Sequence, residues 1–281
     1  MRYQVLDIQI DYEKIGVNNE GFQPKLTVYL PDNSPEIDIN RKRPMVIVCP
    51  GGAYAVTSDR EAEPIALKYL SAGIAAAVLR YSVGTAKYPA SQLELAKAVA
   101  MVRENAEAWN IDSNKIIVSG FSAGGHLAAS YSTLWNRAFI TEYFGYHNQE
   151  NKPNGMILSY PVITSGSKAH RGSFELLLGD RKDDPELLEM LSVEKQVTAD
   201  TPPAFIWHTC DDQAVPVENS LVLASAMVEA GINVELHIFP KGVHGLSLAN
   251  RETSSDEAAS FFVVPECQVW IDMAIRWVEN L

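Results

Sequence analysis

The stretch VSGFSAGG, residues 118–125, holds Ser122 between glycines at 120 and 124, directly behind the apolar run Lys115–Ile116–Ile117–Val118. A serine hydroxyl becomes a nucleophile when a neighbouring base takes its proton, and a sharp strand-to-helix turn holds it exposed toward such a base. Glycines two positions to either side leave room where any Cβ would strike nearby backbone. A helix opening at the next residue aims its N-terminal dipole at the serine, where negative charge is favoured. The same G-x-S-x-G letters also occur in loose small-residue turns, so the meaning of Ser122 depends on what else the chain supplies.

Three further stretches supply it. In PGGAY, residues 50–54, adjacent glycines let backbone N–H groups turn inward. Donors from Gly52 and Ala53, with the Ala123 N–H, would form an oxyanion hole for an acyl-transfer intermediate; the plainer alternative is an ordinary Gly-Gly turn. In FPKGVHGL, residues 239–246, His244 is flanked by Gly242 and Gly245 in a loop after an apolar run. It is the residue placed to act as base, while a carboxylate must fix its tautomer. HTCDDQAVPVENS, residues 208–220, offers two. Asp212, followed by Gln213 and Ala214 before Val215–Pro216, is favoured over Asp211, which is left to hydrogen-bond the loop backbone. Among the other histidines, His126, His208 and His237 fall inside helical or strand patterns and read as packing or local hydrogen bonding. His147 reads as solvent-facing. His170 falls where it can either touch a substrate or face solvent.

The elements that must position these groups are short β-rich runs alternating with helical patterns. Runs 25–30, 45–49, 74–79, 115–119, 155–160, 204–209 and 234–239 read as strands, several of them apolar throughout, as in a sheet covered on both faces. Helical periodicity covers 61–72, 89–109, 122–134, 217–230 and 265–281. The expected fold is α/β, with a mainly parallel, doubly wound sheet of about eight strands. Strands near 2–10 and 25–30 follow one another without a helix and are expected to form an antiparallel edge. The chain reads as one domain, 1–281, with a cap or lid inserted over about 164–203; an elaborated crossover helix is the plainer alternative.

Composition narrows the function classes. Asp plus Glu number 35 against 23 Lys plus Arg, a formal charge of −12, which argues against nucleic acid and anionic membrane as partners. No stretch approaches the roughly 18 uninterrupted apolar residues of a membrane-spanning helix, and Asp7 interrupts any secretory signal, so a cytoplasmic enzyme is expected. The three cysteines, Cys49, Cys210 and Cys267, show no CxxC or Cys/His spacing. They read as reduced and mostly buried thiols, with no metal and no cofactor implied.

Taken together, CPGGAY, GFSAGG, HTCDDQAVPVENS and KGVHGL, in that order, resemble the α/β-hydrolase esterases of the carbohydrate acetyl esterase and feruloyl esterase-like group, and more loosely the hormone-sensitive-lipase group. The resemblance runs from about Lys25 to the C-terminus. It implies Ser122 as nucleophile, Asp212 as orienting acid and His244 as base, with Gly52, Ala53 and Ala123 donating to the oxyanion. Many members of that group carry a histidine where this chain has Pro50, a position that supports the loop rather than supplying a donor. RGSFELLLGD, residues 171–180, is similar to the cap of the carbohydrate-esterase branch. The implied activity is a serine carboxylesterase acting on small esters, foremost acetyl esters of sugars or xylo-oligosaccharides. An arylformamidase-like amidase or a general short-chain esterase is the alternative on the same fold. A catalytically inactive binding module would be expected to lack one of the three reactive residues, and all three are present. The partner implied is a small-molecule ester, with a homodimer as a further candidate, since the spacing does not encode the oligomeric state.

Overall fold

In β3 (Arg43–Cys49), Met45, Ile47 and Cys49 enter one core while Val46 and Val48 enter another on the opposite face of the sheet. That is why the run is apolar at nearly every position: strand side chains alternate, and here both faces are covered. The computed structural model describes residues 1–281. The remaining strands are β1 (Arg2–Asp7), β2 (Lys25–Leu30), β4 (Ala75–Arg80), β5 (Ile111–Phe121), β6 (Gly155–Ser159), β7 (Ala204–Thr209) and β8 (Val234–Phe239). They form one sheet in the order β1-β2-β4-β3-β5-β6-β7-β8. β1 and β2, and β2 and β4, pair antiparallel; every other pair is parallel. This is an eight-stranded, mainly parallel α/β sheet with an antiparallel edge.

The helices are α1 (Glu63–Ser71), α2 (Ala90–Glu104), α3 (Ala106–Trp109), α4 (Ala123–Leu134), α5 (Ala138–Phe144), α6 (Arg171–Leu178), α7 (Pro185–Met190), α8 (Glu218–Glu229), α9 (Ala259–Phe262) and α10 (Trp270–Asn280). The larger core takes Leu93 and Val99 of α2, Leu127 of α4 and Leu223 and Met227 of α8. The smaller takes Ile65 and Tyr69 of α1 and Trp270 and Val278 of α10. No helix is long and apolar enough to cross a membrane.

Several boundaries depart from the sequence pattern. The helix expected over 89–109 divides at Asn105, whose backbone (φ −95°, ψ 4°) leaves the helical region and whose side chain bonds back to Met101 O at 2.8 Å. β5 starts at Ile111 rather than 115, because Arg43 pairs with Ile111 before an irregularity shifts the register to Met45–Ile116. β1 ends at Asp7 instead of reaching residue 10. Residues 164–203, expected to be an insertion of short helical pieces, hold α6, α7 and two short 3-10 turns. Cys49 and Cys267 are buried, Cys210 is exposed, and none forms a disulfide.

Candidate active site

The register brings the reactive segments to one end of the sheet. Cys49 pairs with Gly120, Phe121 with Ser159, and Thr209 with Phe239, so β3, β5, β7 and β8 end nearly level. The residues that follow them are Pro50–Ala53, Ser122, Asp212 and His244, converging where an open parallel sheet binds its ligands.

Ser122 sits between β5 and α4 with φ 53° and ψ −119°, a backbone state that non-glycine residues rarely adopt. The turn is held from several sides: Ser122 N–H donates to Ser159 O at 3.0 Å, and Ser122 O accepts from His126 N–H at 3.0 Å and Val162 N–H at 3.1 Å. The flanking glycines are steric requirements. A Cβ on Gly120 would lie 2.1 Å from Gly124 O, and one on Gly124 would lie 2.2 Å from Cys49 O and 2.4 Å from Pro50 O. Gly124→Ala is therefore expected to destabilise the fold by about 3 kcal/mol or more, because the obstructing atoms are backbone and cannot rotate away. In thermal unfolding, the control Gly172→Ala, whose Cβ would meet only His170 Cε1 at 3.7 Å, should stay near the parent.

The hydroxyl of Ser122 lies 2.7 Å from His244 Nε2, and His244 Nδ1 lies 2.6 Å from Asp212 Oδ2. Of the two aspartates weighed from sequence, Asp212 meets the imidazole; Asp211 is exposed. The Asp212 side chain is fully buried. Its Oδ1 accepts from the N–H groups of Ala214 and Val215, both at 2.9 Å. Burial by itself would raise its pKa, but the hydrogen bonds from His208, His244 and Val215 outweigh it and hold the carboxyl well below the usual carboxylate range. Asp212 is thus an anion throughout the neutral range, the form that can orient a neutral imidazole and steady an imidazolium.

The loop after β3, close enough that a Cβ on Gly51 would lie 3.0 Å from Ser122 Cβ, carries three consecutive positive φ values: Gly52 at 132°, Ala53 at 55° and Tyr54 at 61°. Gly51 N–H is already committed to Glu61 Oε2 at 2.8 Å. The N–H groups of Gly52 and Ala53 bond to no protein acceptor, and Ala123 N–H is the first of α4, where helical amides have no partner within the helix. Pro50, in place of the histidine common in the resembling group, is fixed by Tyr81 O–H donating to its carbonyl at 2.6 Å.

Other residues around the site carried no distinguishing sequence signal. His208 of β7 offers Nε2–H to Val215 O at 3.0 Å and to Asp212 Oδ2 at 3.3 Å, while Nδ1 accepts from Ser220 O–H at 2.8 Å. Its only hint was a position four residues before the acid. Glu61, buried, also accepts from Tyr160 O–H at 2.6 Å; that hydroxyl accepts Ser247 N–H at 2.8 Å, and the Tyr160 ring stands edge-on to His244 at 5.1 Å. A buried glutamate in SDREAEP reads like any surface acid until the fold encloses it.

The remaining histidines fall into place. His147 is exposed, and His237 pairs with Glu235 at 2.7 Å on the edge strand. His170 is half-buried and bonded to Ser173 Oγ at 2.9 Å; its pKa is lowered by burial and then by the charge of His244, which places it near the site without bonding to it. His126 of α4 is buried, with Nδ1 accepting from Tyr54 O–H at 2.8 Å and Nε2–H donating to Leu191 O at 2.9 Å. Burial lowers its pKa from the ordinary 6.5 to about 4, against the opposing hydrogen bond to Leu191. Below pH 6.5 the unfolded chain binds a proton that the folded chain refuses until about pH 4, so this group removes stability as pH falls through that window, by about 3 kcal/mol in all. His126→Gln is expected to flatten that part of the acid dependence of the melting temperature; an unchanged slope between pH 7 and 4.5 would refute the assignment.

A mainly parallel sheet with four loops gathered at its carboxyl ends defines an α/β hydrolase, and similar solved structures agree. A bifunctional acetyl ester-xyloside hydrolase from Caldicellulosiruptor lactoaceticus superposes with a TM-score of 0.82 at 36% identity, over 99% of this chain and 96% of that one. A carboxylesterase from Lactobacillus plantarum superposes with a TM-score of 0.85 at 27% identity, over 100% and 98% of the two chains. Residues 26–227 match the BD-FAE family, and the chain belongs to it. Among curated relatives, the endo-1,4-beta-xylanase B of Butyrivibrio fibrisolvens is 39% identical over 88% of this chain and 39% of its own length. The acetylxylan esterase of Xylanibacter ruminicola is 35% identical over 71% of this chain and 40% of its own. The chain thus spans about two fifths of the length of these two relatives.

Proposed function

We propose that the protein is a serine carboxylesterase that removes small acyl groups, foremost acetyl, from sugars or xylo-oligosaccharides. The observation that carries the reading is the continuous chain from Ser122 Oγ through His244 to the buried Asp212, at 2.7 and 2.6 Å, with the N–H groups of Gly52 and Ala53 uncommitted in the loop after β3. The names of the relatives, an acetylxylan esterase and an acetyl ester-xyloside hydrolase, support acetylated sugars as the substrate class.

In this reading Ser122 Oγ bonds to the ester carbonyl carbon as its proton passes to His244 Nε2. The carbonyl oxygen takes the electron pair and is held by the N–H groups of Gly52, Ala53 and Ala123. When the carbonyl re-forms, the bond to the alcohol oxygen breaks and that oxygen takes the proton from His244. Water then adds to the acyl-Ser122 ester, giving a proton to His244; the bond to Oγ breaks, the proton returns to Ser122, and the carboxylic acid leaves. Asp212 stays ionised throughout. Residues 164–203 act as a cap fastened to the domain, with Leu191 O accepting from His126 and Leu177 O accepting from Tyr88 N–H, both at 2.9 Å.

Acetate release from acetylated xylobiose, hydrolysis of p-nitrophenyl acetate and hydrolysis of N-formylkynurenine, measured side by side, test the proposal. Turnover of the first two with the disaccharide favoured is expected. Turnover of the amide alone would shift the reading to an amidase, and no turnover of any ester would refute it.

A further inference from the structure

Residues 251–264, between the His244 loop and α10, are polar up to Ala258 and then run Ala-Ser-Phe-Phe-Val-Val. The two phenylalanines of α9 are treated differently by the fold. Phe262 packs against the smaller core with the Arg60 guanidinium 4.2 Å above its ring. Phe261 is left 63% exposed, although its neighbour is fixed and α9 is tied down by Val264 N–H donating to Ala249 O at 3.0 Å.

What lies beside it is a cleft of about 350 Å³, walled by Phe261, Phe262, Val243 and Ala214, with Asp211 and Gln213 at its polar rim and His244 on its wall. That volume is at the small end of ligand pockets, which span roughly 300–1,000 Å³. Position fixes which half of an ester it can hold. His244 returns its proton to the departing oxygen, so the alcohol must leave on the imidazole's side of Ser122, away from the amides of Gly52 and Ala53. The lining of the cleft includes His244 and neither Gly52 nor Ala53.

We propose that this cleft is the subsite for the alcohol half of the substrate and that its occupant is a pyranose unit of an acetylated oligosaccharide, stacked on Phe261. The inference rests on the esterase reading above. A pyranose ring carries an apolar C–H face suited to an aromatic ring, and a hydroxyl edge suited to a carboxylate and an amide, the two chemistries that Phe261 and the Asp211–Gln213 rim present. Binding the remote sugar here orients the acetyl group at Ser122, so the contact raises kcat/KM only for esters that have a sugar to place.

The test is the ratio of kcat/KM for acetylated xylobiose to that for ethyl acetate, in the parent, Phe261→Ala and Phe261→Trp, with sedimentation velocity at the assay concentration. The ratio should fall about tenfold in Phe261→Ala and be retained in Phe261→Trp, with sedimentation unchanged. An unchanged ratio, or a loss equal on both substrates, overturns the subsite. A shift in sedimentation accompanied by equal losses would instead make α9 a contact between copies of this chain, which also overturns it. A parent that hydrolyses neither ester refutes the esterase reading itself, an outcome distinct from these.

Discussion

Ser122→Gly is expected to lower the turnover of an acetyl ester by about 10⁵-fold or more while raising the melting temperature of the same protein. The two effects share one cause. Ser122 holds φ 53° and ψ −119° because Ser159, His126 and Val162 bond its backbone from three directions. Forcing a residue with a Cβ into such a state costs on the order of 1–3 kcal/mol, and glycine adopts it without that cost. The lost hydroxyl is the attacking atom of the proposed reaction, so the gain in stability comes with the loss of activity. Steady-state hydrolysis and calorimetry on the one variant read both signs. A drop in melting temperature would show that the turn is relaxed, and retained turnover would remove Ser122 from the chemistry.

Replacing Asp212 by Asn should reduce kcat on p-nitrophenyl acetate by about 10⁴-fold, whereas Asp211→Asn should stay within about twofold of the parent on that ester, which has no sugar to place against the Asp211 rim. Asp212 Oδ1 is committed to the N–H groups of Ala214 and Val215, so the amide nitrogen of an asparagine would be driven to the Oδ2 position, facing His244 Nδ1 at 2.6 Å. Two donors cannot share that contact. The imidazole would then carry its proton on Nε2, where it cannot accept the one from Ser122. Asp211 has no such partner, its side chain being exposed at the rim of the cleft beside α9. Equal losses in the two variants would contradict the assignment of the acid.

The strands were readable because a sheet covered on both faces demands runs such as MVIVC at 45–49 and KIIVS at 115–119. Glycines at 120 and 124 were readable because their reason is local and steric. His244 and Asp212 were readable as loop residues after strands, in the order the fold family uses. The break at Asn105 was not, since the apolar periodicity continues across it and only a side-chain bond to Met101 O marks the end of α2. Nor were Glu61, Tyr160 and His208, whose partners lie up to 99 residues away and whose burial is a product of the assembled fold. The same holds for the cleft at Phe261, which needs α9 and the loops of Asp211 and Val243 brought side by side.

In the proposed reaction Ser122 forms a covalent acyl intermediate with His244 as its base. The direct measurement is intact-mass and peptide-mass analysis after reaction with a fluorophosphonate, which captures a serine only when its hydroxyl is activated. One adduct per chain is predicted, on the peptide containing Ser122, with none in Ser122→Ala and slowed labelling in Asp212→Asn. An adduct on another residue, or no adduct on the folded parent protein, would contradict it.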